Sequence, residues 1–480
     1  MHRLPKTFAP IVCGFALLDI WCDLLGHSVA TVAAATLVQQ SFTNGRVVWN
    51  LALVAFCALM VAAPAQLTRV RRALDVAFPL VAIPFTLLYG FADGPSATMP
   101  LVCIVGTAIA YGWLEIRLFC EAAKLDSAAQ IVAAVVASRA LKAIVAAAIG
   151  MLPDAFQVFA DGACVLACGA CLVLAARWAG SSTGDQEPPK RLAESDRILV
   201  IVLVAVYPAL NAVARALSPL GFWGDASITG AANLAPVAVG AAVFALVCFG
   251  VFRGCSEASV FNRMAAALVM LFGALLVING MVLPLAEGTP AARGATMGVE
   301  LFSHSLFWLA GIFAARMVAG PAMRYAAATE LVMSSVAVLL SAALQATAGI
   351  GQGIVTVALY LVMATFVLVV WRFREQLVEQ ARRASKSTAG SAAGAGEIAN
   401  ANPAAGIDEL AATCDRLAAD NGLTPRETEV LHLLAEGRSR PYIQEKLVIS
   451  DATVKTHCKH VYQKLGVANK QELIELVRSR

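Results

Sequence analysis

The sequence predicts an all-α protein in two parts, a polytopic membrane helix bundle followed by a small soluble domain of four helices. Hydrophobic residues make up 59% of the 480 residues and charged residues only 14%, whereas soluble proteins have about 25% charged residues. The mean hydropathy of +0.73 agrees with many spanning segments. Apolar segments of spanning length recur as far as residue 371, and the chain beyond them is largely polar.

A window of about 19 residues, the length that crosses a bilayer, identifies candidate membrane spans throughout the first part. The candidates lie at 8–26, 47–64, 74–92, 98–118, 127–150, 156–176, 198–217, 233–252, 264–284, 296–315, 325–346 and 352–371. We therefore expect about twelve spans. The helix bundle should be embedded in a lipid bilayer.

The distribution of Lys and Arg supports this number and predicts the orientation of the chain. With the N-terminus in the cytoplasm, the connections on that side are rich in basic residues, as the positive-inside rule requires. The inside connections carry Arg69, Arg71, Arg72, Arg117, Lys124, Arg177, Lys190, Arg191, Arg197, Arg253, Arg263, Arg316 and Arg324. The outside connections carry only Arg46 and Arg293. Both termini are thus predicted to lie in the cytoplasm, with the chain in the cytoplasmic (inner) membrane.

The longest inside connection, 177–197, is polar and divides the spans into two groups of six. This layout resembles the major facilitator superfamily, in which two six-helix halves form a transporter. Another twelve-helix bundle and a sensor fold of its own are the alternatives that the sequence leaves open.

Charged side chains inside the predicted spans are candidates for a ligand cavity, because ionisable groups in a membrane face a cavity or a partner. The candidates are Asp19, Asp23, Arg139, Lys142, Glu300 and His304. The alternative is that opposite charges among them form ion pairs that hold helices together. Glu115 and Arg215 lie near predicted span ends, and we expect them at the membrane interface.

No cofactor, metal site or enzymatic activity is predicted. Cys164, Cys168 and Cys171 share one helical face, but no His or acid at ligand spacing completes a metal site. Most of the other cysteines lie in apolar segments, where Cys behaves as a small hydrophobic residue. The sequence contains no phosphate-binding glycine loop, phosphoacceptor pattern or nucleophile triad.

Composition divides the chain into four predicted regions. These are a transmembrane domain (1–375), a helix extension and flexible linker (376–406), a short amphipathic lead-in helix (407–422) and a C-terminal domain (423–480). The linker is rich in Ala, Gly and Ser, which favours a flexible coil.

The C-terminal domain has the pattern of short capped helices. Thr424, Pro425 and Glu427 form a capping box with proline at the first helical position. The first helix is predicted to end at Gly437, and a second covers about 440–447. Ser450 caps a third helix that ends at Gly466. The apolar positions are Val430, Leu431, Leu433 and Leu434 in the first helix, Ile443 and Leu447 in the second, Val454, Cys458, Val461 and Leu465 in the third, and Leu473, Ile474 and Val477 in a fourth.

Three motifs in this domain, LTPRETEVLHLLAEG, ISDATVKTH and YQKLGV, resemble the LuxR-type (GerE-type) helix-turn-helix of bacterial regulators, including the NarL/FixJ group. The resemblance implies that the third helix enters the major groove of double-stranded DNA. The implied DNA-binding residues are Thr453, Lys455, Thr456, His457, Lys459 and Gln463. It also implies pairing into a homodimer through the last helix, around 471–477. The second helix departs from the family pattern at 440–444, which leaves its phosphate contacts open.

These features predict a membrane-anchored LuxR-type transcription regulator that binds promoter DNA and responds to a signal or small molecule sensed by its transmembrane domain. The alternative is a transporter of the major facilitator type with an appended regulatory domain. A third reading is that the helical module binds protein instead of DNA.

Overall fold

The computed structural model describes residues 4–31, 37–90, 98–180, 200–217, 234–256, 259–282, 285, 289–317, 321–346, 354–372, 405–435, 440–447, 450–467, 472–473 and 476–477. Over these ranges the chain is helical and contains no strand. The predicted helix stop at Gly437 and the linker up to residue 404 lie outside them. The chain divides into two compact units, Met1–Thr388 and Ala389–Arg480.

Twelve helices of the first unit coincide with the twelve predicted segments. They are α1 (Phe8–Thr31), α2 (Leu37–Ala62), α3 (Pro64–Gly90), α4 (Thr98–Ala122), α5 (Ala128–Gly150), α6 (Asp154–Gly180), α7 (Val202–Ala216), α8 (Leu234–Phe252), α9 (Val260–Val282), α10 (Pro290–Met317), α11 (Ala322–Ala346) and α12 (Ile354–Arg372). Within the described ranges, nine are long and apolar enough to cross a membrane, and Val47–Ala62 and α7 are apolar but shorter. The protein is therefore a multi-pass membrane protein.

Buried tryptophans join helices of the first unit through their indole N–H groups, each of which needs an acceptor when buried. Trp21 of α1 donates to Thr86 Oγ1 of α3 at 3.1 Å. Trp113 of α4 donates to Asp75 Oδ1 of α3 at 3.0 Å. These contacts fix α1 and α4 against α3.

Small residues bring α8 and α10 into backbone contact. A Cβ on Gly294 would lie 2.5 Å from the Cβ of Val239, and one on Gly298 would lie 3.0 Å from the backbone oxygen of Gly240. Glycine is needed at these positions because any side chain would push the helices apart.

The second unit consists of α13 (Ala405–Asp420), α14 (Pro425–Ala435), α15 (Arg440–Leu447) and α16 (Asp451–Leu465), with further helical residues at 472–473 and 476–477. These elements share one hydrophobic core. Its buried members are Cys414, Leu417, Ala418, Val430, Leu431, Leu433, Leu434, Ile443, Val454, Cys458, Val461, Leu473 and Val477. The predicted lead-in helix, α13, is thus part of the same core as the helices that follow it.

Candidate functional sites in the two units

The capping box predicted for α14 is present. The backbone N–H of Thr424 donates to Glu427 Oε2 at 2.8 Å, and the N–H of Glu427 donates to Thr424 Oγ1 at 3.4 Å. Two N–H groups that the helix itself cannot pair are thereby satisfied. The cap fixes where α14 begins.

Glu427 also ties α14 to the end of α16. Lys464 Nζ lies 2.8 Å from Glu427 Oε2, and His460 Nδ1 lies 3.4 Å from Glu427 Oε1. The hydrogen bonds from Lys464 and from the backbone of Thr424 lower the pKa of Glu427 from 4.5 to about 2. Its carboxylate is therefore ionised at neutral pH and holds two helices together.

Two further polar contacts position the neighbouring helices on α14. Arg426 Nη2 donates to the backbone oxygen of Leu447 at 2.7 Å, at the end of α15. His432 Nε2 lies 2.8 Å from Asp415 Oδ1 of α13. The orientation of α15 before the turn into α16 is thus set by a side chain of α14.

Helix α16 is capped at both ends as its sequence predicts. Ser450 Oγ accepts the backbone N–H of Thr453 at 3.2 Å. Gly466 adopts the left-handed conformation, with φ of 68°, and closes the C-terminal end. Because residues other than glycine rarely adopt this conformation, Gly466 fixes the length of the helix.

One face of α16 is buried and the opposite face is exposed. Val454, Cys458 and Val461 are buried in the core, and Leu465 packs against it. The exposed residues include Lys455, Thr456, Lys459 and Gln463. The predicted residues Thr453 and His457 are half-buried between the two faces. Within the described structure, His457 Nδ1 is enclosed and has no hydrogen-bond partner.

In the first unit, four of the six predicted cavity residues form a buried charge cluster between α1 and α5. Arg139 Nη1 donates to Asp19 Oδ2. Lys142 Nζ lies 2.8 Å from Asp19 Oδ2 and 2.7 Å from Asp23 Oδ2. Asp19 and Arg139 are 3% and 1% exposed, so that the pair is shielded from water. In this structure these charges pair with one another, which is the alternative considered from the sequence.

The fifth predicted residue, His304, joins this cluster through an aromatic ring that the sequence analysis did not single out. The guanidinium carbon of Arg139 lies 3.7 Å from the centre of the Trp308 ring. The ring of His304 lies 5.3 Å from the same ring, and Phe15 lies 4.6 Å from it. Trp308 therefore connects α10 to the charges on α1 and α5.

The sixth predicted residue, Glu300, lines a small cavity one helical turn away on α10. This cavity also contains Arg215, Ser303 and Thr296 in its wall. Its volume is about 10 Å³, which is room for roughly one water molecule. Glu300 is therefore placed beside Arg215 at this cavity.

Glu115 was expected at the membrane interface, and this expectation is wrong. Its side chain is fully buried. Glu115 Oε1 accepts hydrogen bonds from Trp308 Nε1 at 2.9 Å and from Tyr111 Oη at 3.1 Å. Several more buried acids, among them Asp161 and Glu330, were not singled out. In the sequence, Glu115, Asp161 and Glu330 could have been identified as acidic residues within apolar segments, because such residues need a buried partner.

A further contact between the first six helices (the first half) and the last six (the second half) lies at the connection after α4. Arg316, at the end of α10, donates to the backbone oxygens of Ala123 at 2.9 Å, Asp126 at 3.3 Å and Leu125. A cation at these carbonyls is favourable because the C-terminal end of a helix carries partial negative charge. This contact holds α10 against the connection between α4 and α5.

Residues 421–477 match the family described as bacterial regulatory proteins, luxR family. The transcriptional regulator MalT from Serratia proteamaculans is 45% identical over 53 residues, and so is MalT from Yersinia pestis. Each match covers 11% of this chain and only 6% of the relative. The chain thus carries a LuxR-type helix-turn-helix domain at its C-terminal end, as predicted.

The membrane unit is similar to two solved structures of a bacterial homologue of the iron transporter ferroportin in its outward-facing state. Both comparisons have a TM-score of 0.52 and cover 78% of this chain. They cover 99% and 100% of the other chain, at 12% and 13% sequence identity. At this identity the similarity concerns the fold of the membrane unit alone.

Proposed function

We propose that the protein is a membrane-anchored transcription regulator that binds promoter DNA from the cytoplasmic membrane. The observation that carries this proposal is the presence of a LuxR-type helix-turn-helix and a multi-pass unit in one chain. The positive-inside pattern of the connections supports cytoplasmic positions for both termini. In that orientation the DNA-binding domain has access to the chromosome.

The exposed face of α16 is the proposed DNA-reading surface. Lys455, Thr456 and Lys459 lie on one side of a helix whose other side is buried. A single helix of this width fits the major groove, where Lys and Thr can contact base edges. Thr453 and His457, at the margin of the face, are placed to contact phosphates, which position the helix without reading sequence.

The last helix of the domain is the proposed pairing surface on DNA. Leu473 and Val477 are committed to the core of the domain. Pairing must therefore use other side chains of this helix, such as the exposed Glu472 and the half-buried Leu476.

The membrane unit is the proposed sensor. The cluster of Asp19, Arg139 and Lys142 connects α1 to α5, and Trp308 extends it to α10 in the second half. A ligand that binds better to one arrangement of these helices shifts the population toward that arrangement. We propose that the shift changes the proximity and pairing of DNA-binding domains on the end of the linker.

Binding by the full-length protein to duplex DNA, measured at several salt concentrations, tests the DNA-reading surface. Lys455→Ala and Lys459→Ala should each weaken binding, by about 1–3 kcal/mol for a base contact. Loss of a phosphate contact should instead reduce the slope of the logarithm of the binding constant against the logarithm of the salt concentration by roughly one unit. Arg416→Ala, on the exposed side of α13, is the matched control and should bind normally. Unchanged binding by both lysine variants would show that the face is misassigned.

Capture of chromatin with the intact, membrane-embedded protein tests the proposal as a whole. We expect discrete promoter fragments to be captured. If no fragment is captured and the helix-turn-helix domain instead binds another protein, the result would favour the hypothesis that the domain binds protein. Shortening or lengthening the linker by a few residues should alter regulation gradually. Loss of regulation that alternates with helical phase would argue for a rigid connection instead.

A second candidate function is transport with an appended regulator. The observation that favours it is the match of the membrane unit to nearly the whole length of a transporter homologue. Uptake of labelled candidate solutes into proteoliposomes distinguishes the two functions. Saturable uptake would favour the transporter, whereas binding without uptake would favour the sensor.

A further inference from the structure

The guanidinium of Arg139 has an unused edge inside the membrane unit. Its Nη1 donates to Asp19, but its Nε and Nη2 atoms are enclosed and have no hydrogen-bond partner among the described residues. Buried donors without acceptors are unfavourable and uncommon in folded proteins. An acceptor on this edge would satisfy both donors at once.

The geometry of the edge identifies the kind of acceptor. Nε–H and Nη2–H point in parallel from one side of the planar group, with the spacing of the two oxygens of a carboxylate. The plane is held in place by Trp308, whose ring centre lies 3.7 Å from the guanidinium carbon. Trp308 is itself fixed by a 2.9 Å hydrogen bond to Glu115. Arg139 is therefore preorganised for a bidentate partner.

We propose that this edge of Arg139 binds the carboxylate of a small monocarboxylate ligand with an apolar or aromatic body. The proposal rests on the proposed sensing function and specifies the class of its ligand. The ring of Trp308 lies against the guanidinium, and the rings of Phe15 and His304 pack on Trp308, so that aromatic side chains surround the site. A dianion such as phosphate would bring a second negative charge into a site whose other cation, Lys142, is already paired with Asp19 and Asp23.

Asp19 shares the guanidinium of Arg139 with the proposed ligand, because it accepts from Nη1 and leaves Nε and Nη2 free. Lys142 Nζ lies within 2.8 Å of Asp19 and within 2.7 Å of Asp23. The two aspartates and the two basic residues of the cluster have charges that sum to zero. A bound monocarboxylate therefore gives the cluster a net charge of only −1. Because the free edge of Arg139 is enclosed, entry of the ligand requires separation of helices around it, and this separation is the conformational change to be sensed.

Calorimetric titration of benzoate into the full-length protein in lipid nanodiscs tests the proposal. We expect saturable binding to the unmodified protein and to the control Arg253→Lys, an exposed residue at the end of α8. Arg139→Lys keeps the charge but loses the two parallel donors, and should weaken binding roughly tenfold or more. Asp19→Asn removes the negative charge that neutralises Arg139 and should tighten benzoate binding. Benzamide, which has the same shape without the charge, should not compete.

Several outcomes would overturn the proposal. They are equal benzoate affinity in Arg139→Lys and the unmodified protein, effective competition by benzamide, tighter binding of phosphate than of benzoate, and no binding at millimolar concentrations. Asp19→Asn keeps Arg139, so it gives an independent result if Arg139→Lys fails to fold. Binding of generic duplex DNA is measured on the same preparations. Retained DNA binding without benzoate binding rejects this ligand site alone, whereas failure of DNA binding rejects the proposed regulator.

Discussion

Replacement of Glu427 by Gln should destabilise the C-terminal unit by about 2 kcal/mol at neutral pH. The side chain is buried, and its carboxylate accepts from the Thr424 N–H and from Lys464, both at 2.8 Å. Gln can keep the bond to Thr424 but loses the charge that attracts Lys464. Hydrogen bonds to charged groups contribute about 1.5–3 kcal/mol to stability. We take a value in the lower part of this range because Lys464 is 36% exposed and solvent screens its charge.

Urea unfolding of fragment 389–480, followed by far-ultraviolet circular dichroism, measures this effect. The fragment is suitable because it is a compact unit with its own hydrophobic core. With a slope of about 1 kcal/mol per molar urea for a small domain, the midpoint should fall by about 2 M. Glu429→Gln is the matched control, because Glu429 is 50% exposed and pairs only at the surface with Arg426. Its effect should stay within about 0.5 kcal/mol.

The effect of Glu427→Gln should also depend on pH. The folded-state pKa of Glu427, about 2, lies below the ordinary value of 4.5. The ionised carboxylate therefore stabilises the folded state fully above about pH 4.5, and this contribution is lost as the pH falls toward 2. The stability difference between the two proteins should shrink over that interval. A difference equal to that of Glu429→Gln at pH 7, or one that does not change with pH, would refute this account.

Two further substitutions test other parts of the fold. Gly466→Ala should destabilise fragment 389–480 by about 1 kcal/mol in the same urea assay, because φ is 68° at this position and an L-residue is strained there; an unchanged midpoint would contradict this. Gly294→Ala should lower the melting temperature of the full-length protein in detergent, because its Cβ would lie 2.5 Å from Val239. Gly273→Ala, whose Cβ would meet nothing within 4 Å, is the control, and equal melting temperatures for the two variants would argue against close packing of α8 and α10.

The local features of the fold could be predicted because their signals lie within one helix. Apolar length marked each membrane helix, and the spacing of Val454, Cys458 and Val461 separated the buried face of α16 from its exposed face. Ser450 and Gly466 marked the ends of that helix through their capping preferences. Each of these inferences needed only the periodicity and the conformational preferences of neighbouring residues.

Partners that are distant in the chain could not be predicted in this way. Asp19 and Arg139 are separated by 120 positions, and only tertiary packing brings them together. Glu115 was misplaced because the predicted fourth span ends at 118, whereas α4 continues to Ala122 and the side chain faces Trp308 on α10. The role of Trp308 depends on helices from both halves of the membrane unit, and no local pattern identifies it.

The hydrogen bonds from Arg316 to the connection after α4 depend on the identity of residue 316 but not on the side chains of the residues that accept them. The acceptors are main-chain oxygens of residues 123, 125 and 126, so replacing those side chains leaves the oxygens in place. The donor, in contrast, is one side chain. Variation among related chains could therefore adjust how firmly the two halves hold together here by changing position 316 alone, while the connection is free to diverge.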